Sequence, residues 1–151
     1  MKRILWIVLC AAALVLSSGP KLNAAGNLAS RPTDLDALVM DANLNFSVKE
    51  YKIETGKYYR WKIESKGGEE FQLFMPELFR NAWVNEIVIN KIEIKTPYVY
   101  SLEFDEPGVV EMTFVPLRPG RYPYFVKGFE NKGMQGVFVV NRSEEHTSEL
   151  Q

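Results

Sequence analysis

The sequence has almost no cysteine or histidine, the two residue types on which many metal sites and active sites depend. Its 151 residues include one cysteine, Cys10, and one histidine, His146, each close to a terminus. The long segment between them therefore offers no thiol nucleophile, no imidazole base and no nitrogen and sulfur ligand set of the kind that holds zinc. Because it also lacks a cysteine pair, its fold must be stabilised by packing rather than by a disulfide.

Other absences narrow the function further. Lys and Arg number 18 against 19 for Asp and Glu, with the signs interspersed, so no basic surface for nucleic acid or anionic membrane is predicted. Gly67 and Gly68 are not followed by the Lys-Ser pair or helix of a phosphate-binding loop. The adjacent carboxylates Asp105 and Glu106 precede Pro-Gly and are typical of a turn rather than of an acid-base pair. We therefore predict that the protein is not an enzyme.

Both ends of the chain look unlike folded domain. Lys2 and Arg3 precede an apolar run over residues 4–16 and then small residues, which is the pattern of a secretory signal peptide over residues 1–25. A run of this length is shorter than the ~20 residues that cross a bilayer. The sequence thus predicts a periplasmic or secreted protein with no membrane segment in its mature form.

The C-terminal segment "RSEEHTSELQ", residues 142–151, breaks abruptly from the preceding strand pattern. It resembles the translation of a sequencing-adapter oligonucleotide, and we interpret it as a non-native tail. Between the two ends we predict an N-terminal arm or linker over residues 26–45, packed on a single β-sandwich domain over residues 46–141. A short helix is the expectation for "TDLDALVMDA" in the arm, after Pro32.

The domain itself has the alternating pattern of β-strands. Aromatic and β-branched residues recur with period two between Gly- and Pro-containing turns, which is typical of an antiparallel sandwich. Alternation places Tyr59 with Trp61, and Tyr122 with Tyr124, on single faces, as a core requires. The predicted strands are residues 46–53, 58–64, 70–74, 87–95, 98–104, 109–115, 120–127 and 136–140.

One segment interrupts this alternation. "MPELFRNAWVNE", residues 75–86, is predicted to be a loop with one or two helical turns. If Phe79 and Trp83, four residues apart, share a face of that turn, they either close the end of the sandwich or form an anchor for a protein partner.

The last part of the domain carries a resemblance to a known family. "VEMTFVPLRPGRYPYFV" followed by "GMQGVFVV" is similar to the closing strands of cupredoxins, especially the bacterial periplasmic type related to plastocyanin and azurin. "GEEFQLF" resembles the strand that brings in that family's first histidine. The resemblance implies an all-β, Greek-key β-sandwich with a short helical insertion.

The same resemblance implies where a copper site would lie. The cysteine position falls at Val126, the loop histidine at Phe129, the first histidine at or next to Glu69, and the axial methionine at Met134. Type 1 copper needs a thiolate and two imidazoles, while the axial methionine contributes weakly. Since Met134 alone among the four matches the family, we expect no type 1 copper centre and no cofactor.

Two functions remain open. The first is a binding or accessory module that contacts an unknown periplasmic protein through apolar residues, with Phe79, Trp83, Phe129 and Met134 as the candidate interaction surface. The alternative is a copper or metal carrier that uses methionines and carboxylates, for which the candidate ligands are Glu69, Glu70, Met75, Met112 and Met134.

Overall fold

The computed structural model describes residues 28–143, which form two packed β-sheets with one short helix. The strands are β1 (Thr33–Asp34), β2 (Leu38–Met40), β3 (Glu50–Glu54), β4 (Tyr59–Ser65), β5 (Phe71–Phe74), β6 (Ala82–Ile89), β7 (Ile92–Ile94), β8 (Ser101–Phe104), β9 (Gly108–Pro116), β10 (Gly120–Val126) and β11 (Gln135–Asn141). Helix α1 spans Pro76–Arg80, and a 3₁₀ turn spans Glu130–Lys132.

The first sheet has the strand order β1-β4-β9-β6-β7, with β2 also paired to β4, and the second has the order β3-β11-β10-β5-β8. Most neighbouring strands are antiparallel, whereas β1, β2 and β3 pair in parallel with their partners. The chain crosses repeatedly between the sheets, since β4 and β5, which are consecutive in sequence, lie in different sheets. The prediction of an all-β sandwich with a short helical insertion is therefore confirmed.

Aromatic side chains fill the space between the sheets. The Trp61 indole lies edge-on to Phe138 and Tyr124, with ring centroids 5.0 and 5.8 Å apart, and Tyr51 stacks on Phe138 at 4.7 Å. The buried hydroxyls are satisfied: Trp61 Nε1 donates to the Tyr51 hydroxyl at 3.0 Å, and the Tyr124 hydroxyl donates to the Val48 carbonyl at 2.6 Å. The sequence prediction that these aromatics form a core holds because their polar ends find partners at its edge.

The N-terminal arm differs from its prediction. The expected helix in "TDLDALVMDA" is wrong, because Thr33–Asp34 and Leu38–Met40 are strands that pair with β4. The Tyr51 hydroxyl donates to the Asp36 carbonyl at 2.9 Å and ties the connection between the two strands to the core. Alternating burial of Leu38 and Met40 against the sandwich outweighs the weak local helix preference.

The predicted loop over residues 75–86 is correct only in its first half. Pro76–Arg80 is helical, but the chain then enters strand β6, which begins at Ala82. The predicted single strand over residues 87–95 is also wrong, because Asn90 and Lys91, with φ of 49° and 67°, form a tight turn between β6 and β7. A lysine at positive φ is uncommon, so the sequence gives little sign of this turn.

The predicted signal peptide over residues 1–25 lies outside the described residues, as do residues 144–151 of the predicted non-native tail. Ser143, by contrast, is buried, and its backbone N–H donates to Thr55 Oγ1 at 3.1 Å. Within residues 28–143, none of the helices has the length and hydropathy needed to cross a bilayer.

Candidate functional site

The loop between β10 and β11 holds three of the four copper-site positions close together. The Phe129 N–H donates to the Val126 carbonyl at 3.0 Å, and the Met134 N–H donates to the Phe129 carbonyl at 3.2 Å. The Val126 N–H in turn donates to the Met134 carbonyl at 3.0 Å. These backbone bonds close residues 126–134, called here the closing loop, into a compact turn at one end of the sandwich.

Two apolar side chains at the ends of the closing loop face inward. Val126 is 1% exposed and Met134 is fully buried, and both belong to the main core. Phe129 is partly buried against that core; its ring lies edge-on to Phe71, with centroids 6.3 Å apart, and Lys132 Nζ lies 5.0 Å from its centroid. The closing loop is therefore an extension of the core, with Phe129 at its surface.

Glu69 does not join these residues in the interior. Its side chain is exposed, in the turn that precedes β5. The neighbouring strand β5 contacts the closing loop instead, through the rings of Phe71 and Phe129 and through the Lys127 N–H, which donates to the Gln72 carbonyl at 3.4 Å. An apolar pair of rings thus joins the two segments that would each supply a ligand in a copper protein.

Packing explains why the Gly-Met-x-Gly motif is present without copper ligands. Gly133 has a φ of 117°, a backbone angle that residues with a side chain rarely adopt. A Cβ at this position would lie 2.9 Å from Asn45 Oδ1. At Gly136 a Cβ would lie 2.3 Å from the Tyr124 ring and 2.8 Å from the Lys49 carbonyl oxygen. The two glycines allow the loop to turn and the strand to approach a core tyrosine, so the motif serves the fold.

The donor set does not fit a type 1 copper ion. At the four positions implied by the family, Val126 and Phe129 have no donor atom and the Glu69 carboxylate faces solvent. Only the Met134 thioether remains, and an axial thioether alone binds copper weakly. The residues present therefore cannot form the thiolate and imidazole site of the family.

The donors of the alternative metal site are also separated by their environments. Met75, Met112 and Met134 are all fully buried in the core. Glu70 lies at the surface, where its carboxylate forms an exposed group with those of Glu103 and Asp105, the oxygens lying within 4.8 Å of one another. A hydrogen bond with Glu70 raises the pKa of the Glu103 carboxyl, since proton sharing relieves repulsion between the two charges. The thioethers therefore lie in the apolar core and the carboxylates at the exposed surface, so the two kinds of donor are separated.

The predicted pairing of Phe79 with Trp83 on one helical face is wrong, because α1 ends at Arg80 and Trp83 lies in strand β6. Phe79 is buried, with its ring edge-on to Phe114 at 5.5 Å. The Trp83 side chain points away from the core, to the outer face of the first sheet, and is 41% exposed. Phe79 therefore closes the core, and Trp83 alone of the two is available to a partner.

A second exposed residue accompanies Trp83. Trp83 lies directly opposite Val115 on β9, and the Leu117 N–H donates to the Asn81 carbonyl at 2.8 Å just beyond. This register places Leu117, which is 60% exposed, diagonally across from Trp83. We call the exposed residues Trp83 and Leu117, together with the buried Val115 between them, the Trp83 face.

The Trp83 face and the closing loop lie at opposite ends of the sandwich. Leu117 precedes the first residue of β10, whereas Val126 is its last residue. Six steps of about 3.3 Å separate the ends of that strand, or about 20 Å. The predicted interaction surface of Phe79, Trp83, Phe129 and Met134 is therefore not one surface, and Phe79 and Met134 are not at the surface at all.

Sequence reasoning missed the exposed apolar residues outside that set. Leu117 follows a strand and precedes Arg-Pro-Gly, a position where exposure is visible only after the turn is recognised. Ile92 and Ile94 look like core residues in sequence, yet both are exposed on β7. An alternating pattern identifies one face of a strand, but it does not show whether anything packs on that face.

No protein-family model matches the sequence, and no curated protein matches it. Among solved structures, reduced auracyanin from the photosynthetic bacterium Roseiflexus castenholzii aligns with 74% of this chain and 98% of its own, at 14% identity and a TM-score of 0.50. A multicopper oxidase from Campylobacter jejuni, described as a metallo-oxidase, aligns with 76% of this chain and 31% of its own, at 10% identity and a TM-score of 0.52.

A further multicopper oxidase aligns with 75% of this chain and 46% of its own, at 11% identity and a TM-score of 0.55. The chain thus corresponds to less than half the length of either oxidase. Identities this low concern the fold alone. The described part of the chain is therefore a β-sandwich with a cupredoxin-like fold, and the family's cysteine and histidine ligands are absent from its sequence.

Proposed function

We propose that this protein is an exported, non-enzymatic binding module, which uses a cupredoxin-like sandwich as a scaffold and contacts another protein through the Trp83 face. The observation that carries the proposal is the 41% exposure of Trp83, in a molecule whose other described tryptophan, Trp61, is fully buried. Keeping a large aromatic ring in water forgoes the free energy that its burial would release. Contact with a partner would recover it.

The surroundings of Trp83 support this reading. Leu117 adds a second exposed apolar side chain, and the exposed residues Arg80 and Arg118 lie next to the two strands that carry the face. Tryptophan and arginine are the residues most enriched among those that dominate binding energy at protein interfaces. An apolar centre with a polar rim is also the common arrangement of such interfaces.

Site-specific photo-crosslinking tests the proposal in the cells from which the protein comes. A crosslinking amino acid at position 83 is expected to give an adduct with one protein, and Leu117→Ser is expected to reduce that adduct. The matched control is the same crosslinker at Val109, which is 39% exposed, also on the outer face of the first sheet, but towards the other end of β9. Equal adducts at both positions, or none at position 83, would contradict the proposal.

The metal carrier predicted as the alternative is less well supported, because its thioether donors are buried and its carboxylates are at the surface. Competition titration of the purified protein with Cu(I) and Cu(II) against chelators of known strength decides the matter. One ion bound per chain and lost in Met134→Leu would replace the binding-module proposal by a metal-handling one. His146→Ala is the control for binding by the C-terminal segment.

A further inference from the structure

Strand β7 leaves one edge of the first sheet open. It is the last strand in the order β1-β4-β9-β6-β7, and among residues 28–143 it pairs only with β6. All three of its side chains are exposed, with Ile92 at 65% and Ile94 at 41%. An open edge with apolar side chains is a template for pairing with another strand.

The turn before β7 determines which of its backbone groups are unpaired. Ile89 and Ile92 flank the two-residue turn, so the Ile92 N–H faces the Ile89 carbonyl. Since hydrogen-bonded and non-hydrogen-bonded pairs alternate in an antiparallel ladder, the backbone N–H and C=O of Ile94 also face β6, whereas those of Glu93 do not. The N–H and C=O of Glu93 therefore point away from β6, in the plane of the sheet, towards any added strand.

We propose that β7 pairs with β7 of a second copy of this chain, antiparallel, with Ile94 opposite Ile94 of the second copy and Glu93 opposite its Lys95. The two first sheets would then join into one continuous sheet across a twofold axis. This association involves neither Trp83 nor Leu117, so it stands independently of the proposed partner site.

Charge complementarity selects this register. The outward groups of odd-numbered residues must face one another, which allows three central pairings: Ile92 with Ile92, Glu93 with Glu93, or Ile94 with Ile94. The second opposes like charges directly, which destabilises a strand pair. The first needs Lys91 in an extended conformation, but Lys91 has φ of 67° in the turn. Only the third pairing, with Ile94 opposite Ile94, places Glu93 opposite Lys95 twice and leaves the turn unchanged.

The local chemistry fits the same register. Lys95 Nζ lies 2.6 Å from Glu86 and 3.4 Å from Glu93 of its own chain, so a second carboxylate would join an existing group of opposite charges. Ile94 would form a non-hydrogen-bonded pair, in which facing side chains approach most closely. Pro97 would end the pairing, because it lacks a backbone N–H. The contact is short, so the expected dimer is weak.

Sedimentation equilibrium of the purified protein, from about 10 µM to about 1 mM, tests the association in the concentration range where small interfaces bind. We expect the average mass to rise towards that of a dimer. Glu93→Pro removes the outward N–H but no bond to β6, and proline is tolerated at such edge positions. It is expected to abolish the rise, whereas Glu93→Ala, which keeps the N–H, is expected to weaken it only partly.

Two charge variants test the register, even if the proline variant does not fold. Glu93→Lys alone and Lys95→Glu alone each oppose like charges twice in the dimer, and each is expected to self-associate about tenfold more weakly. Mixed together, the two variants oppose Lys with Glu at both places and should form a heterodimer. A wild-type protein that stays monomeric at about 1 mM overturns the proposal.

Association unchanged by the proline and charge variants would also overturn it, by placing the interface elsewhere. Amide exchange of Glu93 gives a further readout, because its protection should increase with protein concentration. Protection that is independent of concentration would show that a segment of the same chain, rather than a second copy, covers β7.

Discussion

The closing loop and the Trp83 face contain similar residues in opposite situations. At the closing loop Val126 and Met134 are buried, and the loop completes the core where the cupredoxin resemblance implies copper ligands. At the Trp83 face, Trp83 and Leu117 are 41% and 60% exposed on the outer side of the first sheet, and only Val115 between them is buried. The comparison shows that apolar character alone does not identify a binding surface; the layer that packs on it decides.

The largest expected effect is at the closing loop. Met134→Ala removes a fully buried side chain from the core and should lower the free energy of unfolding by about 2–5 kcal/mol, since a cavity remains. Met134→Leu, which nearly conserves volume, should cost less than about 1.5 kcal/mol. Urea denaturation measures both. Equal losses in the two variants would indicate that the thioether sulfur has a role beyond packing.

The next effect concerns the glycine after Met134. Gly136→Ala places a Cβ 2.3 Å from the Tyr124 ring and should destabilise the protein by about 1–3 kcal/mol through overpacking. Gly128→Ala is the control, because a Cβ there meets no atom within 4 Å, and its cost is limited to about 1–2 kcal/mol from its φ of 89°. Thermal unfolding of both variants compares them. A smaller loss for Gly136→Ala than for the control would contradict the packing role of the motif.

Alkaline pH tests the core beneath the closing loop. Burial raises the pKa of Tyr51 to about 12 and also raises the pKa of Tyr124, whereas unfolded tyrosines ionise near pH 10. Stability from these neutral phenols is present below about pH 10 and is lost as pH rises towards the folded-state pKa values. Each contributes a slope of about 1.4 kcal/mol per pH unit. Tyr51→Phe should reduce the slope of stability between about pH 10 and 12, measured by urea denaturation; an unchanged slope would contradict the prediction.

The smallest effect is expected at the Trp83 face. Trp83→Ser should lower the free energy of unfolding by about 1 kcal/mol, less than Met134→Ala, because the 41% exposed ring loses only its remaining contacts and its preference for a strand. Chemical denaturation measures this change in the free energy of unfolding, and the m-value should equal that of the wild-type protein. A loss above about 2 kcal/mol would mean that the ring is packed in the fold, and the contrast with Met134 would disappear.

Several elements could be predicted from sequence because their signals are local. The strands near β4 and β10 alternate clearly between turns rich in glycine and proline, and their burial alternates accordingly, whereas β9 is buried along its last five residues. Tyr122 is one such case: its hydroxyl donates to the Arg118 carbonyl at 3.0 Å, across the Arg-Pro-Gly turn that the sequence marks. Periodicity and turn chemistry suffice where neighbours in sequence make the deciding contacts.

The wrong predictions share a different cause. Leu38–Met40 is a strand because β4 offers it a parallel edge, and the turn at Asn90 and Lys91 exists because β7 folds back on β6. Trp83 belongs to a strand because β9 pairs with it. For Leu38–Met40 and Trp83, the partner strand is distant in sequence. The turn between β6 and β7 lacks the glycine that usually marks such a turn. A local sequence pattern therefore cannot predict any of the three.

The missing chemistry follows from the residue order alone, since positions 126 and 129 hold valine and phenylalanine instead of cysteine and histidine, and no fold can supply a ligand there. The residue order also determined the strand-rich class of the domain through its alternating pattern. The burial of Met134, the exposure of Trp83 and Leu117, and the position of β7 as the last strand of its sheet among residues 28–143 depend instead on the packing of distant segments. Composition and periodicity are properties of one segment, whereas burial and edge pairing depend on which other segment lies against it.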